Sequence, residues 1–422
     1  MGQPSHPEGS GPPTTTTRRA YLHAVGTSGA VLFAGRGSFR RHRCHTITLG
    51  GSVSLTGSYA ALGRLYWDAY RLTARRINRA GGVSAGDGET YRLGLRLRND
   101  GSDAARCRST YEQLVDHQHV DYLLGPYSSA LTLEASDVAG NRERPMVQGS
   151  GASPDIFQTD GGWIFGLLPP ADTYAVSTIE LAAAQSPAPT TAALLTEDDP
   201  FSRSSADGAR EALDGVGIDV VVDETFPSDA TELSSLLDAV GEQAADLLIL
   251  SAHESQAIDL ANGLAAADVH PALVMATVGS LTATFREQTG SNRDYLYGPS
   301  PWNDAAEFDD PVYGSTAGFQ AAIEAAFGYR PDYHSAAAAA AVETFQDAFQ
   351  RVEDRSPETV RDAIADVDVE TAYGPISFGA DGVIDRDMVV YQWQPQDGGE
   401  SVPVLVWPTA VQEAPPVYPM PG

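Results

Sequence analysis

The chain has 422 residues and a mass of 44.6 kDa, too long for one ordinary domain, and its 42% of hydrophobic residues can bury real cores. Its 27 basic residues are all arginine and face 56 acids, a net charge of -29 that excludes a phosphate-backbone binder, whose positive charge would be concentrated. Two cysteines, Cys44 and Cys107, exclude a multi-bridge disulfide scaffold and an all-cysteine zinc site, and no apolar run reaches the roughly 18 residues of a membrane span.

Residues 1–17 are rich in Pro, Ser, Gly and Thr and cannot build a core. Arg18-Arg19 then precedes a weakly apolar stretch to Gly35, the layout of an export signal. Thr17-Arg18-Arg19-Ala20-Tyr21-Leu22 resembles the twin-arginine pattern S/T-R-R-x-F-L, with Tyr21 in the Phe position. Residues 1–45 are therefore expected to be a disordered leader and signal, with the mature protein outside the cell or on its surface. A lipid anchor has little support, because Phe33-Ala34-Gly35 is followed by Arg36 and Cys44 comes late. Charge is uneven: +5 over residues 1–43, +1 over 44–144 and -35 over 145–422. Self-repulsion of that size opposes folding unless salt screens it, and at about 1 M salt the Debye length falls to about 3 Å. A salt-rich, halophile-like setting is the reading, with a merely acidic protein as the alternative.

The body alternates strands and helices. Thr46–Leu49 predicts a strand, about 59–80 a helix ended by Gly81-Gly82, and Leu93, Leu95 and Leu97 a second strand. A helix over roughly 102–117, a strand at 120–124, a helix from about Ser128 and a short strand at 145–147 follow. The rhythm returns with strands at 192–195, 218–222, 246–250 and 272–275. Repeated βαβ with near-continuous apolar strands means parallel sheets covered on both faces, here an α/β fold of two doubly wound lobes. Beyond about residue 300 the pattern is mainly helical, with Ala336–Ala341 inside a helix packed closely on a neighbour. The stretch from Pro403 reads as extended on the surface.

No catalytic signature stands out. His117 and His119 would point to different faces of a helix, Gly149-Ser150-Gly151 is not a nucleophile elbow, and no Walker lysine exists. Asp198-Asp199 and Asp309-Asp310 read as solvated surface. Three small, polar turns at strand ends are more informative: Ser54–Gly57, Gly125–Ser129 and Gln148–Asp155. Helix starts offer unpaired N–H groups, serines offer hydroxyls and glycines allow close approach, which together suit a carboxylate in a strand-end cleft. The competing reading makes Ser129 and Ser153 plain helix caps.

Read in order, Ser54-Leu55-Thr56-Gly57, Ile77–Val83, Asn99-Asp100, Leu124–Ser129, Ala152-Ser153-Pro154 and Tyr373-Gly374-Pro375-Ile376 resemble the solute-binding proteins of branched-chain amino acid ABC transporters, from about residue 46 to 407. The resemblance implies a type I periplasmic-binding fold: two lobes joined by a three-strand hinge near Leu168, Pro299 and Thr371, closing on a ligand. It implies lobe 1 at 46–168 plus 300–371, lobe 2 at 169–299 plus 372–407, and a tail at 408–422. By position, Ser129, with Ser128 and Tyr127 beside it, binds the ligand carboxylate, and the Ser150 carbonyl meets the ammonium. Gly151 and Ala152 follow, and Ala152 replaces a threonine, so Ser153 is the substitute hydroxyl. In the second lobe Phe201 and His253 stand at tyrosine positions. Val278 stands where the ammonium's acidic partner belongs, so that either Glu254 or another acid substitutes or the ligand is not an α-amino acid.

The expected function is an exported binding protein that takes a small amino-acid-, amide- or carboxylate-like solute to ABC permease subunits. It is expected to be a monomer without cofactor, metal, catalytic role or nucleic-acid partner. A ligand-sensing receptor on the same fold is the alternative, and an enzyme the third. Replacing Arg18 and Arg19 by lysine should abolish export of the folded protein; cell fractionation showing unchanged external accumulation would remove the twin-arginine assignment.

Overall fold

The computed structural model describes residues 45–158, 161–230, 233–267 and 269–421; the expected leader, with Arg18, Arg19 and Cys44, lies outside them. The first series runs β1 (His45–Val53), α1 (Ala60–Arg79), β2 (Val83–Ser84), β3 (Thr90–Asn99), α2 (Ala104–Glu112), β4 (Tyr122–Leu124), α3 (Ser129–Asn141), β5 (Met146–Gln148) and β6 (Ile164–Gly166). Its strands form one sheet in the order β2-β3-β1-β4-β5-β6, parallel except where β2 meets β3. The second series runs α4 (Val176–Ala183), β7 (Thr191–Glu197), α5 (Pro200–Val216), β8 (Asp219–Phe226), α6 (Ser234–Gln243), β9 (Leu247–Ser251), α7 (Glu254–Leu264), β10 (Leu273–Ala276), α8 (Ala283–Thr289) and β11 (Tyr297–Ser300). Then come β12 (Asp309–Asp310), β13 (Gly314–Ser315), α9 (Thr316–Phe327), α10 (Tyr333–Arg351), α11 (Pro357–Ala365), β14 (Val369–Thr371), β15 (Gly374–Ile376), β16 (Val389–Pro395) and β17 (Ser401–Trp407). The second sheet has the order β17-β16-β11-β10-β9-β7-β8, with only β16 and β17 antiparallel to their neighbours.

This is the α/β architecture of two sheets that the periodicity implies, and the causes are local. In α1 the spacing of Leu62, Tyr66, Ala69, Tyr70, Thr73 and Ile77 buries one face. That face packs on α10, where the run Ala336–Ala341 is buried throughout. Small side chains permit that approach. Gly149 takes part in it, because a Cβ there would lie 2.8 Å from the Ala337 Cβ. Asp332 caps α10 and Asp199 caps α5, each accepting backbone N–H bonds on its carboxylate.

Three expectations need correction. Of the two acid pairs expected at the surface, Asp198 and Asp309 are exposed, but Asp199 and Asp310 are buried, the first because it caps α5 and the second because it accepts from the Ala372 N–H. The stretch from Pro403 is not a loose surface tail: Ser401–Trp407 is the outermost strand of the second sheet, paired with β16 through Pro403 opposite Trp393. Proline is tolerated there because an edge strand can spare an N–H. Residues beyond it are tied down as well, with Met420 N–H donating to Ala272 and the Tyr297 hydroxyl to Val417. The helix expected over 102–117 stops at Glu112 and continues as a wider turn over Gln113–His117. His117 and His119 are therefore not two positions on one regular helix.

Three segments meet near the expected crossings. The Tyr373 hydroxyl donates to the Leu167 carbonyl at 2.8 Å, the Trp302 indole N–H donates to the Ala372 carbonyl at 2.8 Å, and Asp310 Oδ2 accepts from the Ala372 N–H at 2.7 Å. Behind them Glu343 of α10 is fully buried against Asp310. Burial first, and the Asp310 charge second, push its pKa well above the ordinary 4.5, so the fold favours the neutral form of Glu343. The folded state thus holds a proton that the unfolded chain releases. The stability linked to it is complete below pH 4.5 and is lost as pH rises towards the folded value. Glu343→Gln should match the wild type near pH 4.5 and become progressively more stable than it on going to pH 8, by up to about 1.4 kcal/mol per pH unit. Denaturant melts of both proteins across that range check it; parallel curves would mean that Glu343 is not held neutral.

Candidate functional site

Parallel pairing of β4 with β5 sets Leu124 beside Val147, so the chain leaves both strands on one side of the sheet. The turn after β5 is organised by one buried side chain. Gln148 Oε1 accepts from the N–H groups of Ser150 and Gly151 at 2.9 and 2.7 Å, and its Nε2 donates to the Gly151 carbonyl at 2.9 Å. Gly151 must lack a side chain, since a Cβ would stand 2.5 Å from Ile156 Cδ1 and 2.7 Å from Thr132 Cβ. The Ser150 hydroxyl donates to the Pro126 carbonyl and joins this turn to the one after β4.

Ser129 completes the join. Its Oγ accepts from Ala152 N–H at 3.0 Å and from Ser153 N–H at 3.1 Å. Neither Ser129 nor Ser153 caps a helix with its side chain; Ser128 is the residue at the α3 cap position, and its buried hydroxyl has no partner. The plain-cap alternative therefore fails. The N–H groups of Ser150 to Ala152 in this polar turn are not free for a ligand either, because Gln148 and Ser129 already use them. With two bonds accepted, the Ser129 hydroxyl keeps its own proton to donate.

The two sheets meet over a space of about 10 Å³. Tyr127, Ser129, Ser150 and Ala152 line it from the first sheet, and Phe201, His253 and Val278 from the second. Ser128, Gly151 and Ser153 are not among the lining residues. Four lining residues escaped the sequence reading: Leu168, Tyr174, Tyr333 and His334. Leu168 had been assigned only to the hinge. Tyr333-His334 follows the helix-start signal of Asp332, which is legible in the sequence beside the more conspicuous alanine run. Of the three polar turns, Ser54–Gly57 does not reach the space. Asn99 and Asp100 hold it, through Ser54 Oγ on Asp100 Oδ1 at 2.6 Å and Leu55 N–H on Asn99 Oδ1 at 2.9 Å.

Aromatic rings dominate the walls. Tyr127 lies edge-on to Tyr59 at 5.3 Å and to His334 at 5.7 Å, and His334 stacks on Tyr333 at 3.9 Å. Phe201 touches both Tyr174 at 5.1 Å and His253 at 5.6 Å. One polar bond crosses between the sheets: the Tyr127 hydroxyl and His253 Nδ1 are 2.8 Å apart. Behind His253 stand Asp199 and Glu197. Burial opposes ionisation of the His253 ring, yet Asp199 and then Glu197 outweigh it and raise its pKa. Burial works against the Asp199 carboxylate too, but the charge of the nearby His253 ring lowers its pKa. Burial raises that of Glu197. Glu254, the candidate substitute for Val278, does not line the space; it accepts a bond from the Thr282 hydroxyl, and burial pushes it up to about 7.

A larger cavity of about 570 Å³ lies beside this space, and Tyr333 belongs to the walls of both. Four of its charged groups are paired with one another, Arg286 with Glu400 and Arg330 with Asp304, and Arg293 donates to the backbone carbonyls of Arg286 and Ser401. The strand-end turns with their hydroxyls face the smaller space, which makes that the chemically equipped one.

Comparisons with known proteins agree with this fold. A family model described as "Periplasmic binding protein" matches residues 46–400. A curated relative, "Leu/Ile/Val-binding protein homolog 8" of Brucella abortus, is 22% identical over 219 residues, 50% of this chain and 53% of the relative. The match thus spans about half the length of such curated relatives. Among solved structures, LivJ of Streptococcus pneumoniae in complex with isoleucine superposes with a TM-score of 0.74 at 19% identity, covering 85% of this chain and 99% of that one. A solute-binding protein from R. palustris in complex with benzoate gives 0.73 at 17% identity, covering 88% and 99%. At such identities these two likenesses speak to the fold.

Because its Oγ satisfies two N–H groups in a buried turn, Ser129 carries structural weight. Ser129→Ala should lower unfolding free energy by about 1–3 kcal/mol, the cost of stranding buried donors. Urea titration of the two proteins tests this; an unchanged midpoint would mean that the turn does not depend on Ser129.

Proposed function

The chain belongs to the periplasmic binding protein family, whose members bind solutes rather than transform them, and from that premise we propose that it is an exported binding protein for a small carboxylate with an aromatic or apolar body, delivered to ABC permease subunits. One observation carries the choice of solute. Among the described residues no acid lines the space between the sheets, and Val278, only 4% exposed, is the residue that the resemblance sets at the position of the ammonium's partner. An α-amino acid would bring an ammonium into a buried site with no anion to meet it, which is costly. A carboxylate would instead meet the Ser129 hydroxyl at the positive end of α3. The rings of Tyr127, Tyr174, Phe201 and Tyr333 would enclose the rest. The benzoate-bound relative supports the reading. The bodies that part to admit the solute are proposed to be residues 46–168 with 300–371 and residues 169–299 with 372–407.

Calorimetry in high salt, with 4-hydroxybenzoate and leucine as probes, tests the proposal. The benzoate should bind, and Ser129→Ala should weaken it about ten- to a hundred-fold, the loss of one hydrogen bond to a charged group. Val278→Glu should weaken it too and bring leucine into range. Tighter binding of leucine than of any benzoate by the wild type would overturn the choice of solute.

A further inference from the structure

Glu197 ends β7, Asp199 caps α5 just after it, and His253 precedes α7 at the end of β9. Strands β7 and β9 are parallel neighbours with Thr196 opposite Ser251, so the fold itself brings the three side chains together. All are more than nine-tenths buried, at 2%, 5% and 4% exposure. One donor atom from each lies within 4.8 Å of the other two.

Every side chain is also fixed by a second bond. Glu197 Oε2 accepts from the His253 backbone N–H at 3.1 Å, and Asp199 Oδ1 accepts from Phe201 N–H at 2.9 Å. His253 Nδ1 is held by the Tyr127 hydroxyl. What remains is unpartnered: Asp199 Oδ2 and His253 Nε2 are buried without a hydrogen bond. The ring nitrogen stands 3.5 Å from Asp199 Oδ1, and among the described residues no arginine pairs with either acid. Two buried carboxylates thus face one imidazole.

We propose that Glu197, Asp199 and His253 form a divalent-cation site of the zinc class. A cation of charge two balances both carboxylates while the ring stays neutral and binds through Nε2. Two carboxylate oxygens and one imidazole nitrogen are a borderline donor set that suits Zn²⁺ and its first-row neighbours rather than Mg²⁺ or Ca²⁺. The opposite ring nitrogen then carries the proton and donates to the Tyr127 hydroxyl, the outer-shell bond that metal-binding histidines commonly make. Tyr127 belongs to the turn after β4, so the cation would also steady the bond between the two sheets. The site stands independently of which solute is captured.

The test uses the full chain, stripped with chelator, and Zn²⁺ alone. Titration calorimetry with metal counting should give one tightly bound ion per chain. Its enthalpy should vary with the buffer, because a proton leaves His253 on binding. His253→Gln and Glu197→Gln should each abolish the stoichiometric step. Tyr127→Phe should weaken it about tenfold. Asp198→Asn, an exposed neighbour paired with Arg203, should leave it unchanged. Circular dichroism of each variant separates loss of the site from loss of fold. Absence of a stoichiometric ion, or equal binding by the wild type and both folded variants, would overturn the proposal and leave only loose adsorption on an acidic surface.

Discussion

Parallel strand pairing is the constraint from which the rest of the molecule follows. Because β1, β3, β4, β5 and β6 run the same way, every chain exit that carries a polar turn leaves one side of the first sheet. The second sheet repeats this with β7, β9 and β10, whose ends deliver Phe201, His253 and Val278. Such a sheet must be covered on both faces, which uses the apolar stripes of the helices and leaves the strand ends as the place for polar chemistry. Gln148 and Ser129 then turn two neighbouring exits into one rigid piece by occupying all four N–H groups of residues 150–153.

That division explains what could be read from the residues. The apolar strands at 192–195, 246–250 and 272–275, and the striped helix that became α1, carry their periodicity in the chain itself, and all appear within a few residues of the expected bounds. Strands β16 and β17 carried a signal of the same kind, Val389–Trp393 and Val402–Trp407, but a proline and the helical stretch before them hid it. The site was half legible. Tyr127 and Ser129 were singled out by a polar turn at a strand end, and His253 and Val278 by the positions that the family resemblance assigns. Tyr174 and Tyr333 were not, because they reach the space from a short helical turn and a helix start far along the chain, and only tertiary packing brings them in. No local pattern could reveal that Ser129 spends its lone pairs on Ala152 and Ser153.

Contact between the sheets is made largely of rings, and several polar atoms around it lack partners: the Tyr174 hydroxyl, His253 Nε2, His334 Nε2 and the Ser128 hydroxyl. A stranded buried polar group costs about 1–3 kcal/mol. Elsewhere the same chain pairs such groups with care, as at Asp100, which binds Ser52 and Ser54, and at Gln148. The contact between the sheets is thus stabilised by aromatic packing and the Tyr127–His253 bond, and opposed by the polar groups it leaves without partners. A bound partner would shift that balance only through contacts it makes better in one arrangement of the sheets than in another.

Charge imposes a further condition on this balance. Residues 145–422 carry -35, yet the space between the sheets is lined by hydroxyls, rings and two histidines without an acid. The long-range field of the molecule therefore repels the carboxylate proposed as its solute, while the local surface of the cleft does not. The two act over different distances. Contacts with Ser129 and the start of α3 operate within a few ångströms, where salt has little effect, whereas the field of the acidic surface extends over a Debye length, about 10 Å at 0.1 M salt and about 3 Å at 1 M. Concentrated salt removes the second and spares the first. An ionic strength high enough to relieve self-repulsion in the fold would thus also open the approach of the proposed carboxylate to the cleft.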